Sequence, residues 1–211
     1  MALTRADVYL WSKLVLMQPC PIPTSPSVLE IGEANWFGDI PPPTGMLCSN
    51  MEDPFAIAKA YYKQVFDYKR IVSVDLHGTE TALKLDLNNP VMLPAYSFDV
   101  VINSGTTEHI FNQAQLFKTI HHYTASPAGL MIHAAPVRGF HNHGLYTYSP
   151  ELFQLIAQVN GYRPLLQFFY DFTNEEVGVD REHCDVMLYV AWQKVNEAPF
   201  KMPIQERYET P

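Results

Sequence analysis

Apolar residues along this chain repeat with two periods, and the switches between them predict its elements. In residues 4–17, Val8, Leu10, Trp11, Leu14 and Val15 recur at helical spacing behind Thr4. This predicts an amphipathic helix with Thr4 as its N-cap. Pro19, Pro21, Pro23 and Pro26 cannot continue a helix and predict a stiff extended connector. Val28-Leu29-Glu30-Ile31-Gly32 is a short apolar run closed by an acid and a glycine. That suits a buried parallel strand with a turn at its carboxyl end. The pattern returns at 71–75, in a shorter form at 83–86, and most clearly at 98–103. Residues 53–68 carry a helical stripe with Asp53 at the cap and Pro54 at the first position. Residues 113–122 have helical period, 129–134 read as strand, and 151–160 form a helix stopped by Gly161. Two further strands are predicted near 164–170 and 185–192.

Nearly all-apolar strands alternating with helices predict an α/β fold with a mainly parallel sheet covered on both faces. Ligands of such sheets bind outside the carboxyl ends of the strands. Glu30, Gly32, Asp75, Asp86 and Asn103 all stand at those ends. Asp75 reads either as an acceptor for a ribose diol or as a helix cap or turn residue. Asp86 can accept from the exocyclic amine of an adenine, with Leu76 and Leu87 supplying apolar surface to the ring.

Composition narrows the partners. A chain of 211 residues that is 47% hydrophobic can bury one sizeable core, and a single domain over 1–211 is expected. The formal charge of -8 argues against a surface that binds nucleic acid or anionic lipid through phosphates. No stretch approaches the roughly 20 apolar residues of a membrane span. Cys20, Cys48 and Cys184 are widely spaced and read as reduced thiols. A cytoplasmic protein with a small-molecule or protein partner is expected.

In this order of segments the chain resembles the class I methyltransferases that use S-adenosylmethionine, over roughly residues 27–166. Val28-Leu29-Glu30-Ile31-Gly32 is similar to that family's first-strand motif, Val72-Ser73-Val74-Asp75 to the second, and Leu85-Asp86-Leu87 to the adenine-side motif. The stretch from Ser97 through Asn103, Gly105 and Glu108-His109 to Ile110 resembles the fourth-strand motif and is the most specific. Ser126-Pro127-Ala128-Gly129 resembles the turn before the fifth strand. Gly144-Leu145-Tyr146 through Glu151-Leu152, followed by Gly161-Tyr162, resembles the late helix of small-molecule members.

The resemblance implies a Rossmann-like sheet of seven strands, mainly parallel, with helices on both faces and the last strand antiparallel. It implies S-adenosylmethionine as cofactor. Glu30 and Gly32 would meet its methionine part, Asp75 its ribose, and Asp86 and Leu87 its adenine, while Asn103 would form the pocket floor. The implied reaction is methyl transfer to an oxygen, or in second place a nitrogen, of a small-molecule acceptor. One departure matters. The family's first loop holds glycines at alternate positions so that backbone can approach the cofactor, yet here it reads Gly32-Glu33-Ala34-Asn35-Trp36-Phe37-Gly38-Asp39. An inserted loop over about 33–52 follows, which either closes over the cofactor or fills its place. The second outcome would leave a non-catalytic binding or partner protein.

The histidines offer further chemistry. His141 and His143 stand two apart, point the same way if the segment is extended, and would need Glu108 or His109 to complete a metal set. No metal is assigned to them. His109, with Glu108 beside it, or His141 or His143, is placed to take a proton from the acceptor. His109 reads equally as a packing residue at the start of the next helix. His121 and His122 fit a favourable contact with a helix C-terminus. Trp36 and Phe37 would either stack on a ligand or anchor the long loop, and one of Tyr146 and Tyr148 would face the pocket.

Overall fold

The computed structural model describes residues 2–37, 40–93, 95, 97–171, 176–177 and 185–205. A short strand β1 (Ala2–Leu3) leads into helix α1 (Arg5–Val15). A capping box starts that helix, with Asp7 Oδ2 accepting from Thr4 N–H (2.9 Å) and Thr4 Oγ1 (2.8 Å). There follow β2 (Ser27–Ile31), β3 (Asn35–Trp36), α2 (Pro54–Phe66), β4 (Arg70–Val74) and β5 (Val100–Ser104). The chain continues with α3 (Gln113–Tyr123), β6 (Leu130–Arg138), α4 (Pro150–Asn160), β7 (Arg163–Asp171), β8 (Glu176–Val177) and β9 (Val186–Gln193). Asp53 caps α2 by accepting from Phe55 N–H at 2.9 Å, with Pro54 in the first turn. Gly161, at φ +63°, ends α4.

Seven strands form one sheet in the order β4-β2-β5-β6-β9-β7-β8. The first four are mutually parallel, and β9, the last in the chain, runs antiparallel between β6 and β7. The expected Rossmann-like architecture is present with one difference. Residues 83–86 do not form a strand; Leu83 makes a single parallel bridge to Val74. Leu85 N–H donates to Leu83 O at 2.9 Å, a bond across two residues that bends the chain out of the sheet. The seventh strand is instead β8, paired antiparallel with β7.

Side-chain alternation sorts the strands between two cores. Val28, Val100, Ile102 and Ile132 pack with α1 and α2, whereas Leu29, Ile31, Val101 and Met131 pack with α3 and α4. Polar residues obey the same parity. Glu30 projects with Val28 toward α2, where it bonds Lys59 Nζ and Ser73 Oγ. Asn103 projects with Val101 to the other face, where Nδ2 meets Thr107 Oγ1 and, at 2.9 Å, His133 Nδ1. His133 is packed among Phe117, Phe153 and Trp192, and burial pushes its pKa down to about 3.

His121 departs from its expected contact with the helix dipole. Its Nε2 donates to Ala198 O (2.9 Å) and its Nδ1 accepts from Tyr162 Oη (2.6 Å). Burial, then the charge of Lys194, pushes it down to about 4, so it is neutral in the fold. Cys20 and Cys48 are free thiols, and Cys184 lies outside the described residues. Among the described residues, no helix is long and apolar enough to cross a membrane.

Both histidines give the fold an acid limit. An unfolded imidazole titrates near 6.5, whereas the folded ones stay neutral to about 4 and about 3. The unfolded chain therefore binds protons first as pH falls. Stability should be full above about pH 6.5 and decline by up to about 1.4 kcal/mol per pH unit per histidine below it. Urea denaturation between pH 7 and 4.5 should show this slope, and His133→Gln should remove one share; an unchanged slope would locate the limit elsewhere. At the end of β2, Gly32 has φ +85°, and a Cβ there would overlap Thr106 Oγ1. Gly32→Ala should therefore lose at least about 1–2 kcal/mol in thermal or chemical denaturation.

Candidate functional site

Three strand ends and the chain after them shape one cleft. Beyond β2, Gly32 N–H donates to Val74 O at 2.8 Å, and Glu33 N–H donates to Asp75 Oδ2 at 2.9 Å. Asp75 Oδ1 accepts from His77 N–H at 2.9 Å. Glu33 returns the connection, its carboxylate accepting from Thr79 N–H (2.6 Å), Thr79 Oγ1 (2.9 Å) and Thr81 Oγ1 (3.1 Å). Asp86 organises the next turn by accepting from Asn88 N–H (2.9 Å) and the side-chain amides of Asn88 and Asn89. Beyond β5, Gly105 at φ +68° leads to Thr106 and a single 3-10 turn, Thr107–His109.

A cleft of about 460 Å³ opens between these segments. Gly32, Asp75, Leu76, Asp86, Leu87 and His109 all line it. Glu30 and Asn103 do not, because strand parity sends their side chains into the two cores. Burial draws the Asp75 carboxyl upward, but N–H donation from Glu33 and His77 outweighs it and holds the group below the usual range. Donation from Asn88 does the same for Asp86. Both are thus ionised at neutral pH.

Thr106 is a lining residue that the strand pattern does not single out. Its Oγ1 is buried without a hydrogen-bond partner among the described residues, and it lies against Gly32 where any Cβ would collide. The hydroxyl itself fills the space that glycine leaves, so Gly32 and Thr106 pack the loops after β2 and β5 against each other beside the cleft. The sequence signal was present in Gly105-Thr106, a glycine and a small hydroxyl residue directly after an apolar strand.

Next to this wall stands a second group. Glu108 is 1% exposed, on the 3-10 turn, and a Cβ at Gly105 would lie 3.7 Å from its Oε1. His109 Nε2 and His143 Nε2 lie 4.0 and 3.8 Å from that oxygen. Residues 139–145 deliver His143 by clamping on Glu108: Leu145 N–H donates to Glu108 O at 2.6 Å. Gly144, at φ +75°, passes so close that a Cβ would sit 2.9 Å from Glu108 Cγ. Burial pushes the Glu108 carboxyl up to about 7, and burial and the nearby His143 lower His109. His141 is not part of this group. Phe140 and Asn142 have φ of +54° and +64°, so the segment coils and residues two apart do not share a side.

Among the described residues, nothing between 33 and 52 lines the cleft. Trp36 is buried against Tyr61 (5.3 Å between centroids), its Nε1 donates to Ile40 O at 3.0 Å, and β3 pairs in parallel with β1. It anchors the loop. Leu47 and Ser49 border a separate hollow over α2, beside Lys59 and Lys63. Gly38 and Asp39 lie outside the described residues. Tyr148 is buried with its hydroxyl on Gln113 Oε1, and Tyr146 donates to Phe111 O, both at 2.9 Å. Neither lines the cleft.

No family model and no curated sequence matches the chain. Solved structures do. A chain from the complex between the Haloferax volcanii Trm112 methyltransferase activator and a provisionally assigned methyltransferase superposes with a TM-score of 0.51 at 10% identity. It covers 90% of this chain and 94% of its own. A provisionally assigned methyltransferase from Bacillus halodurans gives 0.50 at 11% identity, covering 90% of this chain and all of its own. Identities this low speak for architecture alone, and strand order, the antiparallel β9 and these superpositions agree on it: the chain has the class I methyltransferase fold.

Proposed function

We propose that the protein transfers the methyl group of S-adenosylmethionine to an oxygen, or in second place a nitrogen, of a small-molecule acceptor. One observation carries this reading: ionised Asp75, ionised Asp86 with Leu87, and Gly32 with Thr106 line one cleft of small-ligand size. Asp75 retains acceptor capacity on both oxygens beyond the N–H groups it already holds, as a ribose diol requires. Asp86 and the walls formed by Leu76, Leu87 and Ile110 suit an adenine. When bound, the cofactor supplies an electrophilic methyl, so the chain's work is to align the acceptor, exclude water and receive a proton. Glu108, His109 and His143, at the Gly105 side of the cleft, are the groups placed for that.

A second reading has its own support. Ala34, fully buried, stands where the resembled family has its second glycine, and the β1–β3 pairing occupies the chain just beyond. A protein so built would bind a nucleoside without transferring a methyl group.

Calorimetric titration with S-adenosylmethionine, S-adenosylhomocysteine and adenosine separates these. Transfer chemistry calls for tighter binding of the first two than of adenosine; equal affinity for all three would favour the second reading, and no heat with any would remove both. Asp75→Ala should weaken cofactor binding by about 1–3 kcal/mol. Because that carboxylate also holds Glu33, the melting temperature of the variant is compared with that of the parent, and should stay close to it if the loss is one of ligand contact.

A further inference from the structure

We infer that Glu108, His109 and His143 form a binding site for one divalent first-row transition cation of the zinc or cobalt kind, open toward the cleft. The donor set is one carboxylate and two imidazoles, which suits such borderline cations and not calcium or magnesium. Its ligand atoms lie within 4.8 Å of one another, with the two imidazole nitrogens 3.8 and 4.0 Å from Glu108 Oε1. Donors around a tetrahedral zinc stand about 3.4 Å apart, given bonds of roughly 2.0–2.1 Å. Both imidazole side chains are about half exposed, 47% and 53%, which leaves them room to turn toward the shared oxygen.

A separate observation points the same way. Glu108 is almost wholly buried, and beside the Oε1 that faces the imidazoles its other oxygen, Oε2, meets no hydrogen-bond donor among the described residues, so the carboxylate as a whole is under-partnered. A carboxylate removed from water persists where it is paired, hydrogen-bonded or coordinated, and the groups facing this one are the His109 and His143 imidazoles. The backbone around it is held firmly. His109 N–H donates to Thr106 O (3.0 Å), Ile110 N–H to Thr107 O (3.1 Å), and residues 139–145 are tied across Glu108 as described. Glu108 is therefore a fixed ligand, and the two imidazoles come to it from the 3-10 turn and from the clamped loop.

Three protein donors leave coordination positions unfilled, the pattern of catalytic rather than structural zinc sites. His109 lines the cleft, so the vacant side faces the space in which a ligand would lie. An acceptor oxygen there would lose its proton more readily, and the proton would pass to solvent, because the cation would then occupy the three side chains otherwise placed to take it. That last step rests on the methyl-transfer reading; the cation site itself does not.

The test is titration of tag-free, chelator-treated full chain with Co²⁺ and then Zn²⁺. One equivalent of Co²⁺ should bind and give visible absorption bands that Zn²⁺ abolishes. His143→Ala should weaken binding by about 100-fold or more, since even partners outside the coordination sphere cost 10–100-fold. Glu108→Gln should do at least as much, and because Glu108 is buried its melting temperature is compared with that of the parent. His141→Ala, on the same loop but outside the group, should bind as the parent does. No stoichiometric Co²⁺ binding, or binding that survives His143→Ala, would overturn the inference. The same samples titrated with S-adenosylmethionine keep the two readings apart: cofactor binding without metal binding defeats the cation site alone, and metal binding without cofactor binding defeats methyl transfer alone.

Discussion

Asp75 joins the two loops on which the cleft depends. Each of its carboxylate oxygens accepts a backbone N–H, one from Glu33 after the first central strand and one from His77 in its own turn. Hydrogen bonds to an ionised acceptor are among the stronger ones a fold can make. Glu33 answers by placing its own carboxylate on Thr79 and Thr81. The reciprocal arrangement sets the path of backbone that a run of glycines would otherwise leave free. With Glu33 held, Gly32 turns at positive φ beneath Thr106, and the distance between the strand ends is set without a ligand. The cleft is consequently formed in advance, which lowers the ordering cost of anything that binds there.

Much of this was legible in the sequence, and the reasons differ by element. The long helices and the buried strands follow from periodicity because tertiary burial and local pattern agree there; α2, with Asp53 and Pro54 at its start, is an example. The cleft residues Gly32, Asp75, Leu76, Asp86 and Leu87 were found because strand ends are places a one-dimensional pattern can locate. Glu30 and Asn103 stand at the same ends, yet parity, which depends on which face each helix covers, turns them inward. The segment at 83–86 has strand composition, but a bond between Leu85 and Leu83 bends it, and such a local turn leaves no trace in hydrophobic pattern. His143 meets Glu108 across more than thirty residues through a coiled loop whose positive φ values fall on Phe140 and Asn142, residues that do not announce them.

Chemically, the strand ends divide into two environments a few residues apart. On one side Asp75 and Asp86 accept enough N–H groups to remain ionised. On the other, Glu108 is enclosed and its carboxyl rises to about 7. Carboxyl groups are thus pushed in opposite directions, down by hydrogen bonding in one case and up by desolvation in the other. Gly105 is the boundary, and Thr106 and His109 are the residues that look across it.

The bend at Leu85 also shapes how the molecule meets its own copies. β4 ends the sheet, and among the described residues its outer side is met by Leu83 alone. A bare sheet edge is a template for a strand from another molecule. At the start of the strand Lys69 and Arg70 are exposed but reach back past β2, the former to within 3.4 Å of Asp99 and the latter over the Phe98 ring at 5.1 Å, and so do not cover the outer edge. An incoming strand would have to unseat Leu83 before it could pair along the carboxyl half of β4. The same turn that bends Leu85 and Asp86 to the cleft thus caps the exposed edge of the sheet at its carboxyl end.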